Sequence, residues 1–223
     1  MRILLLVHRY LGVLVGLLMV LWCLSGFVMM YQGYPRLTEP ERLQGLQPLR
    51  WHAAAGARPA AQTLDRALPD ATTLTGFRVE MLAGRPALLT LERTGRSRLL
   101  DLQTGQRLDP IDAITALKVA AAYGSGHALA GRPRDLGLIA DDQWTVEGAA
   151  RRGPVYHIGF DDPARTELYV AARTGEAVQV TTHHARFWSW LGAVPHWLYP
   201  LALRRNGALW DQIVVCTSLA ALF

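Results

Sequence analysis

The sequence is poor in the features that usually announce an enzyme. It contains no H-E-x-x-H, no G-x-S-x-G and no G-x-x-x-x-G-K-[ST], so zinc-protease, serine-hydrolase and nucleotide chemistry have no motif to stand on. Cysteine is scarce. Cys23 and Cys216 both lie in apolar segments, which excludes a disulfide framework and leaves the fold to its core. Lysine is almost absent, Lys118 being the only one among 23 basic residues. The net charge of +5 and the pI near 9.6 come from arginines interleaved with Asp and Glu in no run or stripe. No nucleic-acid partner is expected.

What the chain has in excess is apolar sequence at its two ends, which accounts for a 51% hydrophobic share and a mean hydropathy of +0.13. Leu11 to Tyr31 is free of charge and follows Arg2 and Arg9. As a helix it reaches about 31 Å, the thickness of one hydrocarbon core. A cleaved signal would have a shorter apolar region and end in small residues; this one ends in Phe27, Val28, Met29, Met30 and Tyr31. It reads as a retained anchor in a bilayer, with its basic N-terminus in the cytoplasm.

Within the anchor, His8, Gly12, Gly16, Met19, Cys23 and Gly26 recur at three- and four-residue steps and share one helix face. Gly12 and Gly16 form a small-xxx-small pattern suited to close helix packing. The same face also leaves room for a flat macrocycle beside His8 as an axial iron ligand. Residues 33–59 read as a Pro-, Gly- and Arg-rich linker, and 60–68 as a short helix stopped by Pro69. Strands are expected over 74–82, 86–92 and 98–102. A helix follows over 109–123, opened by an Asp cap with an early Pro and closed at Gly124. The Gly-rich stretch from there to Asp142 reads as loop.

The second half echoes the first. Gly84 to Leu108 and Arg152 to Val178 each run Pro, strand, polar turn, strand and Thr-Gly, with a turn two residues longer in the second copy. Two such units at a spacing of about 70 residues describe a duplicated α+β module with antiparallel sheet rather than a solenoid. The stretch YHIGFDDPARTELYVAARTGEAV resembles the PepSY domain. The opening HRYLGVLVGLLMVLWCLSGFVMMY is similar to the first helix of PepSY-associated transmembrane proteins.

The resemblance implies a membrane protein with an N-terminal transmembrane helix, a periplasmic domain of duplicated PepSY-like units and the start of a second transmembrane helix. It implies the bacterial inner membrane, with the lipid bilayer as partner. It also implies haem b as a cofactor in those members that reduce ferric siderophores or pass electrons across the membrane. On the family pattern His8 (in HRYLG) and His196 (in PHWLYP) are the candidate haem ligands, near opposite faces of the membrane and so on separate irons. His183 or His184 would be weaker partners for the outer site. Other PepSY modules are peptidase propeptides and inhibitors, so a tethered module that binds a periplasmic protein partner is the alternative.

Four Trp and Tyr199 between Arg186 and Trp210 form an aromatic girdle of the kind found at a bilayer surface. The resulting division is helix 1 over 1–32, linker over 33–59, tandem domain over 60–182, interfacial segment over 183–208 and second helix over 209–223. Trp210 to Phe223 is shorter than the roughly 20 residues a span needs, so the chain is expected to be a truncated form of a longer protein. Asp141-Asp142 and Asp161-Asp162 read as turn residues, and His127 and His157 as a loop and a sheet residue.

Overall fold

The computed structural model describes residues 1–50, 62, 65, 74–147 and 152–220, which fall into two compact units, Met1–Pro35 with His183–Phe223, and Arg36–Thr182. The first unit is helical. Its α1 (Arg2–Tyr31) has 30 residues and is the one described helix long and apolar enough to cross a membrane. The helix spans about 45 Å. Against its C-terminal part pack α4 (His183–Leu191) and α5 (Ala193–His196). They are followed by α6 (Leu201–Arg204) and α7 (Gly207–Ala220). Gly192 joins α4 to α5 where a Cβ would stand 3.0 Å from Val28 Cγ1. The two helices can therefore lie close on α1. Pro195 sits in the first turn of α5, where its missing N–H costs nothing, and no long helix crosses 187–203.

The second unit is α+β and built on two antiparallel meanders. Strands β1 (Leu74–Leu82), β2 (Arg85–Glu92) and β3 (Ser97–Asp101) form one sheet in that order. Strands β4 (Pro133–Ile139), β5 (Val155–Phe160), β6 (Glu167–Ala171) and β7 (Ala177–Thr181) form the other. The helix α3 (Ala113–Gly126) lies between them in sequence and in space. Ala116, Ala120 and Tyr123 of α3 share one core with Ala87, Leu89 and Leu99 of the first sheet and Ile158, Leu168 and Val170 of the second.

The meanders use the same hydrogen bonds. Leu102 N donates to Pro86 O and Ala172 N to Pro154 O, each at 3.0 Å. Asp101 N donates to Gln106 O at 2.8 Å, and Ala171 N to Glu176 O at 2.9 Å. The turns that follow place Gly105 at φ 75° and Gly175 at φ 71°, a left-handed conformation that favours glycine. Matched positions are 68 residues apart before the hairpin turn (Pro86 to Pro154) and 70 after it (Asp101 to Ala171). The difference is the longer turn of the second meander.

Three expectations need correction. The helix expected over 109–123 begins later, because its cap is Asp112, whose carboxylate accepts from Thr115 N at 2.7 Å. Asp109 instead accepts from Leu99 N at 3.2 Å and Arg107 at 2.6 Å. The helix also passes through Gly124 to Gly126. Those glycines serve close approach: a Cβ on Gly124 would lie 2.9 Å from Phe160 Cε1, and one on Gly126 2.2 Å from Gln44 O. The stretch expected to be loop up to Asp142 contains β4, an edge strand whose Pro133 and bulge at Gly137 hide its alternation. The expected linker holds α2 (Glu39–Gln44), opened by a Thr38–Glu41 capping box. Gln44 Nε2 ties it to Gly126 O at 3.0 Å. The helix expected over 60–68 lies outside the described residues, Gln62 and Asp65 excepted.

Candidate functional site

The site that the helical unit builds is centred on His196. The last turn of α5 brings its ring against α1, with Nδ1 3.2 Å from Ser25 Oγ and 3.2 Å from Trp22 O. Ser25 is buried and donates its own hydroxyl proton to Leu21 O at 2.6 Å. A carbonyl oxygen only accepts, and the serine proton is already committed, so the proton on the ring must sit at Nδ1. In the neutral imidazole the lone pair is then at Nε2, for which the described residues provide no hydrogen bond. A histidine fixed through Nδ1–H to a backbone carbonyl is prepared to ligate through Nε2. Gly26 completes the seat, since a Cβ there would be 3.0 Å from His196 Cε1.

The other sequence-derived candidates are dispersed. His8 is exposed on α1, 17 residues before Ser25, about 26 Å away along the helix axis. His8 and His196 are thus too far apart for one iron. Gly12 and Gly16 leave open space, with no atom within 4 Å of a Cβ at either position. His183 and His184 are exposed in the first turn of α4, the latter 6.2 Å from the Trp188 ring. No described contact joins either to His196. Ser25 and the Trp22 carbonyl were not singled out in the sequence. The only hint was a hydroxyl in an otherwise apolar helix.

A second concentration of ionisable groups lies in the α+β unit. Arg42 pairs with Glu39 at 2.7 Å and approaches Glu80 at 3.9 Å, while Arg78 pairs with Glu176 and lies 3.6 Å from Glu80. Beside them is a cavity of about 30 Å³ lined by Met81, Tyr123 and Gly175 among others. It has room for one water. Burial, reinforced by the negative Glu176, raises the Glu80 carboxyl above its usual range. Burial and the charge of Glu41 push the Tyr123 phenol up to about 12. These groups hold α2, β1 and the β6–β7 turn together.

On the face of the second sheet away from the core, His157 pairs with Glu167 at 3.1 Å and stacks on Tyr169 at 4.7 Å between ring centres. Tyr169 is fully buried and donates to Asp142 Oδ2 at 2.7 Å. Burial first, and Asp142 next, hold its phenol far above the usual range. Asp142 also accepts from the Trp144 and Thr145 amides, and Asp162 from Thr166 N at 2.7 Å. Both aspartates thereby fasten turns. His127 stacks on Tyr123 and hydrogen-bonds to Glu41 O at 2.8 Å. Among the described residues no three His, Cys, Asp or Glu side chains gather in a way that could hold a metal ion.

Comparison with known proteins returns no match among family models, curated proteins or solved structures.

Proposed function

We propose that this chain is a PepSY-type protein of the bacterial inner membrane that holds haem b through His196 and supports transmembrane electron transfer or periplasmic ferric-siderophore reduction. One observation carries the reading. The His196 imidazole is fixed by Nδ1 against Trp22 O and Ser25 Oγ, which leaves Nε2 as the ligand nitrogen. Haem, when bound, supplies a one-electron couple whose potential follows its axial ligands and burial. The residues themselves orient the ligand, and Gly26 gives the ring its space. His8, beside the open face of Gly12 and Gly16, would serve a second haem near the cytoplasmic end, since about 26 Å separates the two histidines.

Length and apolarity of α1 support a span, and the basic Arg2 and Arg9 support a cytoplasmic N-terminus. The hydrogen bonds common to the two meanders support a duplicated origin for the α+β unit. That unit would then stand in the periplasm.

The test is an absorption spectrum of the detergent-purified protein supplied with haem, oxidised and dithionite-reduced, beside His196→Ala and His8→Ala. Reduced absorption bands of histidine-ligated b-type haem, lost in part with each substitution, are expected. A protein that stays colourless with haem supplied would overturn the reading. What would remain is a tethered module that binds a protein partner.

A further inference from the structure

Near the start of α7 an arginine stands in an unusual setting. The Arg204 guanidinium lies in the corner of two aromatic rings, 4.3 Å from the centre of Tyr199 and 4.4 Å from that of Trp210. The cage is itself fixed: Trp210 Nε1 donates to Trp197 O at 3.2 Å, and Tyr199 is buried with its ring edge-on to Tyr34 at 5.7 Å. The two rings are 6.2 Å apart and nearly perpendicular, at 88°, so they flank the cation on two adjacent sides and leave the rest of its edge open, with the guanidinium N–H groups pointing outward in its plane. Among the described residues none of these donors reaches a carboxylate or carbonyl, and Nε is buried without a partner. Asp211, one residue beyond Trp210, makes no ion pair with Arg204. Arg204 as a whole is half-buried, so the accessible, unpaired part of its guanidinium edge suits an oxyanion in the guanidinium plane.

We infer that Arg204 is a binding site for the phosphate of an anionic phospholipid headgroup. The choice of lipid rests on the proposed membrane span. The cage lies in a segment of exposed tryptophans, Trp188, Trp190 and Trp197, immediately before an apolar helix. Tryptophan and tyrosine concentrate at the headgroup level, where such phosphates are found. The aromatic faces hold the cation by its quadrupole attraction, and its free edge takes the phosphate oxygens.

Native mass spectrometry of the full chain released from detergent micelles, doped with phosphatidylglycerol or phosphatidylcholine, tests this. The wild type is expected to retain phosphatidylglycerol over phosphatidylcholine by about fivefold, the preference one arginine gives at an anionic surface. Arg204→Gln should abolish the preference and Arg205→Gln keep it. Equal retention of the two lipids by the wild type would overturn the inference, as would equal losses in the two variants. Displacement of the lipid by millimolar inorganic phosphate would overturn it too, by assigning the site to a soluble anion. If Arg204→Gln fails to fold, the wild-type ratio and the phosphate competition still decide. A chain monodisperse without detergent would refute the span instead, a result that is separable from the lipid ratio.

Discussion

Glu80 shows how a single residue sets a pH response in the α+β unit. Burial and the neighbouring Glu176 raise its carboxyl above the unfolded value, so the folded state binds the proton more tightly than the unfolded chain. Stability from this group is then greatest in acid and falls as pH rises through the raised folded value. Glu80→Gln is expected to raise the melting temperature by about 2–4 °C at pH 8, the shift for roughly 1 kcal/mol in a domain of this size, and to change nothing below pH 4. A lower melting temperature at pH 8 would mean that attraction to Arg42 and Arg78 outweighs burial. Gly126→Ala drives a methyl into Gln44 O and is expected to cost about 1–3 kcal/mol by urea unfolding. At this scale sequence reasoning reached His196 but not its anchor. Ser25 is 171 positions away, and no local pattern reports a partner at that separation.

The elements differ in how plainly their residues declare them. Strand β1 was expected over 74–82 and is found there, because its apolar and polar residues alternate between turn signals. The start of α3 was misread. Asp109-Pro110 and Asp112 both offer a capping signal, and only the contacts of Asp109 with Leu99 and Arg107 remove it from the helix. Asp112→Ala should therefore lower the urea midpoint of the unit, since the capping hydrogen bond accepted by Asp112 is lost. Strand β4 was missed because an edge strand tolerates the Pro and Gly that elsewhere mark loops. Between elements, Tyr169→Phe removes the hydroxyl that joins β6 to the turn at Asp142. It should cost about 1–3 kcal/mol, the penalty for a buried acceptor left without its donor. Urea midpoints of wild type and variant give that figure directly.

Over the whole molecule, the apolar first helix and the α+β character with antiparallel sheets were legible from hydropathy and alternation. The recurrence of Pro, turn and Thr-Gly in the two halves was visible in sequence, and the structure adds that the same backbone groups are joined in each meander. Composition could not reveal that 183–208 folds as short helices against the end of α1, because the contacts of Gly192 with Val28 and of His196 with Ser25 are tertiary. Haem ligation by His196 is the proposal on which the functional reading depends, and cavity rescue tests it most directly. His196→Gly, purified with haem in detergent, should lose the histidine-ligated bands of the outer haem, and millimolar imidazole should restore them. Bands that persist unchanged in His196→Gly, with no response to imidazole, would contradict ligation by this residue.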